Sequence, residues 1–332
     1  MPISACSSWN TSRRRRWRRN GSSFFMFAVQ RDVRQSMARD ALASLMHENG
    51  IRTLEAQGTV TKKLYPSPEL RMMSDIDFII DRENLEKAMA LVQAAGHETY
   101  QHQPEEFNAI LSDGLLAEFH TDYFTEIILF RRELFAEALS DPFAHSRPID
   151  GEPLGFVPED TYYYLYTILH TIKHFETAGC GLRRVLDLYY LKKAFAGKVD
   201  EALVKRIIAQ YGFQESYDVL MALEGLWFED NPTERDLTQA IETVIEGGNH
   251  GTKEIFVRNS VKKDLAEHVR FARLRRVWGI IFPSKQYIYI NYPQCAERGY
   301  STLHCQLYRL ADKLKHARLG AALRYIKNVL AK

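Results

Sequence analysis

The chain has 332 residues, 45% of them hydrophobic and 26% charged, values typical of a water-soluble globular protein. This composition excludes a collagen-like chain, a disulfide scaffold and a chain that is disordered throughout. No apolar run approaches the roughly 18 residues that a membrane-spanning helix needs, so we expect no membrane partner. Four scattered cysteines without CxxC spacing favour a cytoplasmic location.

The net charge of +2 conceals a strong asymmetry along the chain. Residues 1–20 carry six arginines and no acid. Residues 21–250 hold 21 Lys and Arg against 37 Asp and Glu, a net charge of −16. Residues 251–332 hold 17 against 5, a net charge of +12. This pattern indicates modules with different tasks.

The arginine-rich start has several interpretations. We interpret residues 1–25 as a basic tail, either disordered or translated from a start codon upstream of the true one. A targeting peptide is an alternative, although the apolar stretch after the arginines is short for a secretory core. A nucleic-acid or membrane-surface arm is another.

The predicted elements up to residue 130 alternate between helix and strand. They are helix 26–49, strand 51–56, helix 59–64, strand 74–81, helix 82–95, and strands 107–112 and 115–123. Periodicity supports most of them, and Asp113-Gly114 is a turn signal between the last two strands. The order of these elements therefore predicts an α/β unit that begins near residue 26 and ends near residue 130.

Beyond about residue 156 the predicted elements are helices alone. They cover residues 161–177, 182–196, 199–212, 214–227 and 233–246. Three glycines, the first of them Gly247, then mark a linker. We predict a helical domain over 131–250 and a basic, helical C-terminal region over 251–332.

Three acids are the candidate catalytic residues. Asp75 and Asp77 lie two residues apart on a predicted strand, so their side chains project from the same face. Glu118 lies on a later strand, and three such acids can converge on hard cations such as Mg²⁺. Side by side they would raise one another's pKa, which a metal ion offsets. The alternative is a solvated strand face on which the acids point to water.

A glycine turn upstream of these acids suits phosphate. Gly58-Thr59 opens a short helix after a strand, and exposed backbone N–H groups at such a start can cradle phosphate oxygens. Lys62, Lys63 and Arg71 lie between this turn and the acids and can offset phosphate charge.

Residues 51–80, IRTLEAQGTVTKKLYPSPELRMMSDIDFII, resemble a largely uncharacterised bacterial nucleotidyltransferase family of the DNA-polymerase-beta-like superfamily. The segment HTIKHFETAGCGLRRVLDLYYL and the later IFPSKQYIYINYP are also similar to that family. The resemblance covers roughly residues 30–330. It implies an α+β fold, with a nucleotidyltransferase catalytic domain over residues 26–130 that has a mixed sheet and flanking helices. It assigns Gly58-Thr59 to the glycine motif and Asp75, Asp77 and Glu118 to metal binding and catalysis.

The implied reaction moves a nucleoside monophosphate from an NTP, ATP among them, to an acceptor hydroxyl, with Mg²⁺ or Mn²⁺ as cofactor. The acceptor is a small molecule, a protein or an RNA. The nucleotide-binding residues expected besides the glycine motif come from the loop and from the helical region. They are Lys62, Arg71, Ser74, Lys173 and His174.

Other readings stay open. Gln57, where relatives often carry lysine, leaves room for a catalytically silent nucleotide-binding or regulatory module on the same fold, such as a toxin–antitoxin or biosynthetic-cluster accessory. His120 shares a strand face with Glu118 and either assists proton removal or is structural. His170 and His174 have the spacing of zinc ligands but also of helix packing. The basic C-terminal region is compatible with nucleic-acid binding, which we do not favour over a solvated surface.

Overall fold

The computed structural model describes residues 11–103, 105–111, 113–123, 139, 141–248, 251, 252, 255, 259 and 301–315. They form two compact units. The sheet unit comprises the described residues of 1–101, 105–123 and 141–159, and the helical unit comprises those of 102–104, 124–140 and 160–332. Among the described residues no helix has the length and apolar character needed to cross a membrane.

The strands of the described residues form one mixed sheet in the order β3-β4-β5-β2-β1-β7-β6. Their bounds are β1 Thr53–Glu55, β2 Asp75–Ile80, β3 Glu98–Gln103, β4 Glu106–Ile110, β5 Leu116–His120, β6 Ser146–Ile149 and β7 Glu152–Pro158. β2 runs parallel to β5, and β1 runs parallel to β7. β1 and β2, β4 and β5, and β6 and β7 are antiparallel pairs. The α+β fold class predicted from the sequence is confirmed.

The helices of the sheet unit are α1 Thr11–Glu48, α2 Gly58–Thr61 and α3 Leu85–Ala94. α1 begins well before Met26, so the structure makes residues 11–25 helical where the sequence suggested a disordered tail or an early start. Arginine is a good helix former, and no proline interrupts the segment. Short 3₁₀ turns cover Lys62–Leu64, Pro68–Leu70 and Arg82–Asn84.

Alternation along the central strands separates an apolar face from a polar one. Ile76, Phe78 and Ile80 of β2 are buried in one hydrophobic core with Ala117 and Phe119 of β5. That core also contains side chains of α1 and α3. The ring of Phe119 stacks on those of Phe78 and Phe107, with centroids 5.3 and 4.6 Å apart. Full burial of each such side chain stabilises the fold by about 1.5–3 kcal/mol, so this face fixes which side chains point the other way.

β6 and β7 extend the sheet beyond the boundary that the sequence suggested. The predicted helical domain began at residue 131, whereas the described residues of 141–159 belong to the sheet unit. Pro148, Pro153 and Gly155 argue locally against a strand, which is why the sequence indicated none. Proline is tolerated in β6 because β6 lies at the sheet edge.

The helical unit contains the helices that the sequence predicted beyond residue 160. They are α4 Asp160–Glu176, α5 Leu182–Phe195, α6 Glu201–Gln210, α7 Gln214–Phe228 and α8 Thr238–Gly247, with α9 Thr302–Lys315 described near the C-terminus. Asp200 caps α6 by accepting a hydrogen bond from the Leu203 backbone N–H at 2.9 Å. The aromatic segment IFPSKQYIYINYP lies outside the described residues.

Candidate active site

Strand register brings the three predicted acids to the polar face of the sheet. In the parallel pair of β2 and β5, Asp77 is the direct partner of Glu118, and Asp75 is the partner of Leu116. Asp75 and Asp77 lie on the same face because they are two residues apart. Glu118 is therefore next to Asp77 across the ladder, where parallel strands lie about 4.8 Å apart.

His120 joins these acids at close range. Its Nε2 lies 3.5 Å from Asp77 Oδ1 and 3.5 Å from Glu118 Oε2. Ligand atoms of Asp77, Glu118 and His120 all lie within 4.8 Å of one another. Two carboxylates and an imidazole at that separation fit a divalent cation, which binds oxygen or nitrogen donors at about 2.0–2.2 Å. Hence the donor set suits a metal ion.

The electrostatics of the acids and His120 are strongly perturbed. Burial raises the pKa of Asp77 to about 6; the hydrogen bond with His120 opposes this shift, and the charges of Asp75 and Glu118 add to it. Burial disfavours the charged form of His120, but hydrogen bonds with Asp77, Glu106 and Glu118 outweigh it and hold its pKa well above the ordinary value. Desolvation and like charge within one cluster are typical of functional sites.

β4 adds two polar residues that the sequence analysis missed. In the antiparallel pair of β4 and β5, Glu106 is opposite His120 and Asn108 is opposite Glu118. Asn108 is buried, and Glu106 Oε2 lies 3.3 Å from His120 Nδ1. The sequence of the hairpin nevertheless contained a signal for both residues. Counting strand positions back from the Asp113-Gly114 turn places Glu106 and Asn108 on the face of Glu118.

The glycine turn is shaped by tight contacts. Gln57 has a φ of +46°, a left-handed conformation that is uncommon for a residue with a side chain. A Cβ at Gly58 would lie 2.5 Å from Met73 Sδ and 3.0 Å from Arg71 Nη1, so only glycine fits here without displacing its neighbours. Thr59 donates its hydroxyl to the Ala56 carbonyl at 2.9 Å. The turn thus holds the buried Arg71 side chain beside Gly58.

Helix α1 fixes the loop between the glycine turn and β2. Arg31 Nε and Gln35 Nε2 donate to the Met73 carbonyl at 2.9 and 3.2 Å, and Arg31 Nη2 donates to the Ser74 carbonyl at 3.2 Å. These bonds hold the residues that immediately precede Asp75 on β2. They make α1 part of the scaffold of the sheet face that carries Asp75, Asp77 and Glu118, which we call the acid face.

Lys62 has a different environment from the one that the sequence suggested. Its ammonium donates to Asp32 Oδ1 and Ser36 Oγ of α1, both at 3.0 Å, and its side chain is buried. The partners are 30 and 26 residues away in sequence, so no local pattern could identify them. Lys62 joins the loop to α1, and its charge is balanced within the protein.

Lys173 and His174 lie on α4 in the helical unit. His174 Nε2 is 2.9 Å from His170 Nε2, and the rings of His170 and Tyr166 pack edge to face at 5.6 Å. Within the described residues, no group of three or more metal-ligating side chains includes this histidine pair. A nucleotide-binding role for Lys173 and His174 stays a prediction.

Asp75, Asp77 and Glu118 thus lie on one face of a mixed sheet, with Asp77 and Glu118 on neighbouring parallel strands. A family model described as "uncharacterised nucleotidyltransferase" matches residues 17–229, and the chain belongs to that family. The protein is therefore a transferase of the nucleotidyltransferase type. The match includes the glycine turn, the acid face and helices α4 to α7.

Outside this family, the comparisons show a weak structural likeness. A solved structure of the antibiotic-resistance factor ANT(2'')-Ia aligns with a TM-score of 0.39 and 14% sequence identity, over 57% of this chain and 96% of that chain. At that similarity the likeness carries no functional argument. No significant match occurs among curated proteins.

Proposed function

We propose that the protein transfers a nucleoside monophosphate from an NTP to an acceptor hydroxyl in a reaction that depends on a divalent metal ion. The observation that carries the proposal is the pairing of Asp77 with Glu118 across β2 and β5, with Asp75 on the same face. Asp77 is buried among other acids, and its pKa is raised to about 6. A cation relieves this repulsion and a triphosphate brings such a cation with it.

In the proposed reaction the acceptor oxygen forms a bond to the α-phosphorus while the bond from that phosphorus to the bridging oxygen breaks. Pyrophosphate leaves with the electron pair. A divalent ion, when bound, supplies positive charge to the triphosphate and to the developing charge on the leaving group. Asp75, Asp77 and Glu118 are the residues proposed to hold it.

The acceptor proton needs a base on the same face. Glu118 has 28% of its side chain exposed, against 5% for Asp77, so Glu118 is the carboxylate of this pair that an acceptor can approach. We assign the proton to the carboxylate oxygen of Glu118 that does not hold the metal ion. Its neighbour Asp77 is enclosed and serves as a fixed ligand.

The triphosphate is proposed to contact the glycine turn. Arg71 offers a guanidinium beside Gly58, and a guanidinium suits phosphate oxygens because it donates two parallel hydrogen bonds. Thr59 and Ser74 stay in the proposed set as hydroxyl residues at the two ends of the loop. Lys62 is left out because Asp32 and Ser36 bind its ammonium.

Calorimetry with each NTP and a divalent metal salt tests the proposal. Wild-type protein is expected to bind at least one NTP, and Asp77→Asn is expected to lose at least about tenfold in affinity, or about 1.4 kcal/mol. Asp81→Asn is the matched control, since Asp81 follows the same strand but its carboxylate binds Arg52 at 2.7 Å. The proposal is wrong if wild-type protein binds no NTP, or if Asp77→Asn binds as well as wild type.

Screening with labelled NTPs then identifies the acceptor. The panel contains small molecules with hydroxyl groups, peptides and tRNA, and the readout is transfer of label together with pyrophosphate release. Label transfer that Asp77→Asn abolishes supports the enzyme. Binding of nucleotide without transfer to any member of the panel favours the silent regulatory module.

A further inference from the structure

The acid face contains a nitrogen donor, which a site for Mg²⁺ alone does not need. His120 lies two residues beyond Glu118 on β5 and shares its face. Its Nε2 is 3.5 Å from one oxygen of Asp77 and 3.5 Å from one oxygen of Glu118. The imidazole therefore points to the place where the two carboxylates converge.

Glu106 sets the orientation of that imidazole. It stands directly opposite His120 in the ladder of β4 and β5, and its Oε2 lies 3.3 Å from His120 Nδ1. A carboxylate on the far nitrogen of a histidine fixes the ring and its tautomer, and such pairs commonly support metal-binding histidines. Glu106 is held on a strand, so the ring can turn little away from Asp77 and Glu118.

We propose that Asp77, Glu118 and His120 form a mixed carboxylate–imidazole site that binds a first-row transition ion, Mn²⁺ in preference to Mg²⁺, and that Glu106 positions His120 for it. This inference rests on the proposed function, because it specifies the metal of that same site. It adds His120 as a ligand and Glu106 as a positioning residue.

The chemistry of these three ligands is the reason that the site should prefer Mn²⁺ to Mg²⁺. Mg²⁺ takes oxygen ligands and demands near-ideal octahedral geometry. Imidazole nitrogen is a better ligand for first-row transition ions, and Mn²⁺ is the member of that series that also suits carboxylate oxygens. A set of two carboxylates and one imidazole therefore favours Mn²⁺ over Mg²⁺, and all three ligand atoms lie within 4.8 Å of one another.

Pulsed electron paramagnetic resonance of Mn²⁺ tests the ligand directly. The sample is untagged, full-length protein with less than one equivalent of Mn²⁺ and no nucleotide. Nitrogen bound to Mn²⁺ modulates the spin echo, so we expect ¹⁴N modulation in wild-type protein. Growth on ¹⁵N-histidine should replace it with the ¹⁵N pattern. Absence of nitrogen modulation, or modulation that ¹⁵N-histidine leaves unchanged, overturns the proposal.

Variants assign the nitrogen to His120 and test Glu106. His120→Gln is expected to abolish the modulation and to weaken Mn²⁺ binding in calorimetry by at least about tenfold, with a smaller loss for Mg²⁺. Glu106→Gln should keep the modulation but change the nitrogen coupling and cost about tenfold in Mn²⁺ affinity. Glu105→Gln is the matched control, because Glu105 binds Arg82 at 2.9 Å. Equal Mg²⁺ and Mn²⁺ affinities in wild type, or no effect of His120→Gln, contradict the proposal.

The two proposals fail in different ways. Nitrogen-coupled Mn²⁺ in a protein that binds no NTP would leave the metal site standing and refute the enzyme. Transfer of label supported by Mg²⁺, with no nitrogen coupling to Mn²⁺, would leave the enzyme standing and refute this site. Because the ¹⁵N-histidine measurement uses wild-type protein, misfolding of a variant does not affect it.

Discussion

Two buried acids on neighbouring strands of the same sheet have opposite surroundings. Glu55 of β1 has 2% of its side chain exposed, and its carboxylate contacts Arg39 at 2.5 Å and Lys63 at 2.8 Å. Arg39 also binds Glu152 of β7 through two hydrogen bonds of 2.8 Å. The charge of Glu55 is balanced within a network that joins α1, β1 and β7.

Asp77 of β2 is similarly enclosed, with 5% of its side chain exposed, but its neighbours include two further acids. Among the described residues, the positive charge that opposes them is supplied by His120, which lowers the pKa of Asp77. Glu55 pairs with Phe78 in the ladder, so Glu55 and Asp77 lie on opposite faces of the sheet. Burial alone therefore does not distinguish Glu55 from Asp77, whereas the sign of the charges around each carboxylate does.

The largest expected difference between these acids is in activity. Asp77→Asn should lower turnover by on the order of 10³-fold, because it removes a charge that holds the metal against the triphosphate. Glu55→Gln should retain turnover within a few fold once the folded fraction is taken into account. Turnover is measured as label transfer to the acceptor found in the screen. Comparable losses of turnover in the two variants would show that Asp77 and Glu55 do not differ in function.

The free energy of unfolding should change in the opposite order, with the larger loss in Glu55→Gln. Glu55→Gln leaves Arg39 and Lys63 with a neutral partner, and breaking a buried ion pair on one side costs about 3–5 kcal/mol. Asp77→Asn removes a charge that other acids oppose, so its free energy of unfolding in the absence of metal should stay close to that of wild type. Urea denaturation at neutral pH measures both. A larger loss for Asp77→Asn would show that Asp77 is a structural acid.

The stabilisation of the protein by bound metal should depend on pH through the protonation of Asp77. Because the pKa of Asp77 is about 6, this acid carries a proton below that pH and a charge above it. Metal binds the carboxylate form. The metal-induced rise in Tm, roughly 5–10 °C at about 100 times the Kd, should therefore be present well above pH 6 and lost as the pH falls through 6.

Because of His120, the metal-induced rise in Tm should also depend on pH above 6. Its pKa is raised well above the ordinary value, so its proton must also leave when the ring binds metal, and the rise in Tm should keep growing above pH 6. Scanning fluorimetry across this range, with and without Mn²⁺, provides the measurement. A metal-induced rise that is the same on both sides of pH 6 would contradict it.

The smallest expected effect concerns the glycine turn. Gly58→Ala places a Cβ against Met73 Sδ and Arg71 Nη1, so both side chains must shift. We expect about a tenfold rise in the KM for NTP, or about 1.4 kcal/mol, with kcat changed less. Gly225→Ala is the control, since its Cβ would meet only ordinary contacts at 3.5 Å. An unchanged KM would remove the glycine turn from the nucleotide site.

Local patterns in the sequence predicted the central part of the fold. Period-two alternation gave β2 with Asp75 and Asp77, and the Asp113-Gly114 turn gave β4 and β5 with Glu118. These signals work because alternate residues of a strand lie on opposite faces, and one face of each of these strands packs into the hydrophobic core. The helices from Asp160 to Gly247 followed from apolar periodicity in the same way.

What the sequence did not predict depends on long-range pairing. β7 pairs with β1 across about a hundred residues. Its prolines and Gly155 argue locally against a strand, so its sequence gives no strand signal. β3 also gave no usable signal, since Glu98–Gln103 contains mostly polar residues. Glu106 differs from these cases, since it lies one residue before the strand predicted to begin at Phe107, and only the register of the local hairpin places it beside His120. The role of Lys62 depends on Asp32 and Ser36 of α1, which no motif connects to it.

Anomalous diffraction from crystals grown with Mn²⁺ and a non-hydrolysable NTP analogue would locate the metal ion and the nucleotide relative to Asp77 and Glu118. We predict a peak within about 2.2 Å of carboxylate oxygens of both Asp77 and Glu118, with the α-phosphate of the analogue beside it. A crystal with the analogue bound elsewhere, or with no peak between these two carboxylates, would contradict the account.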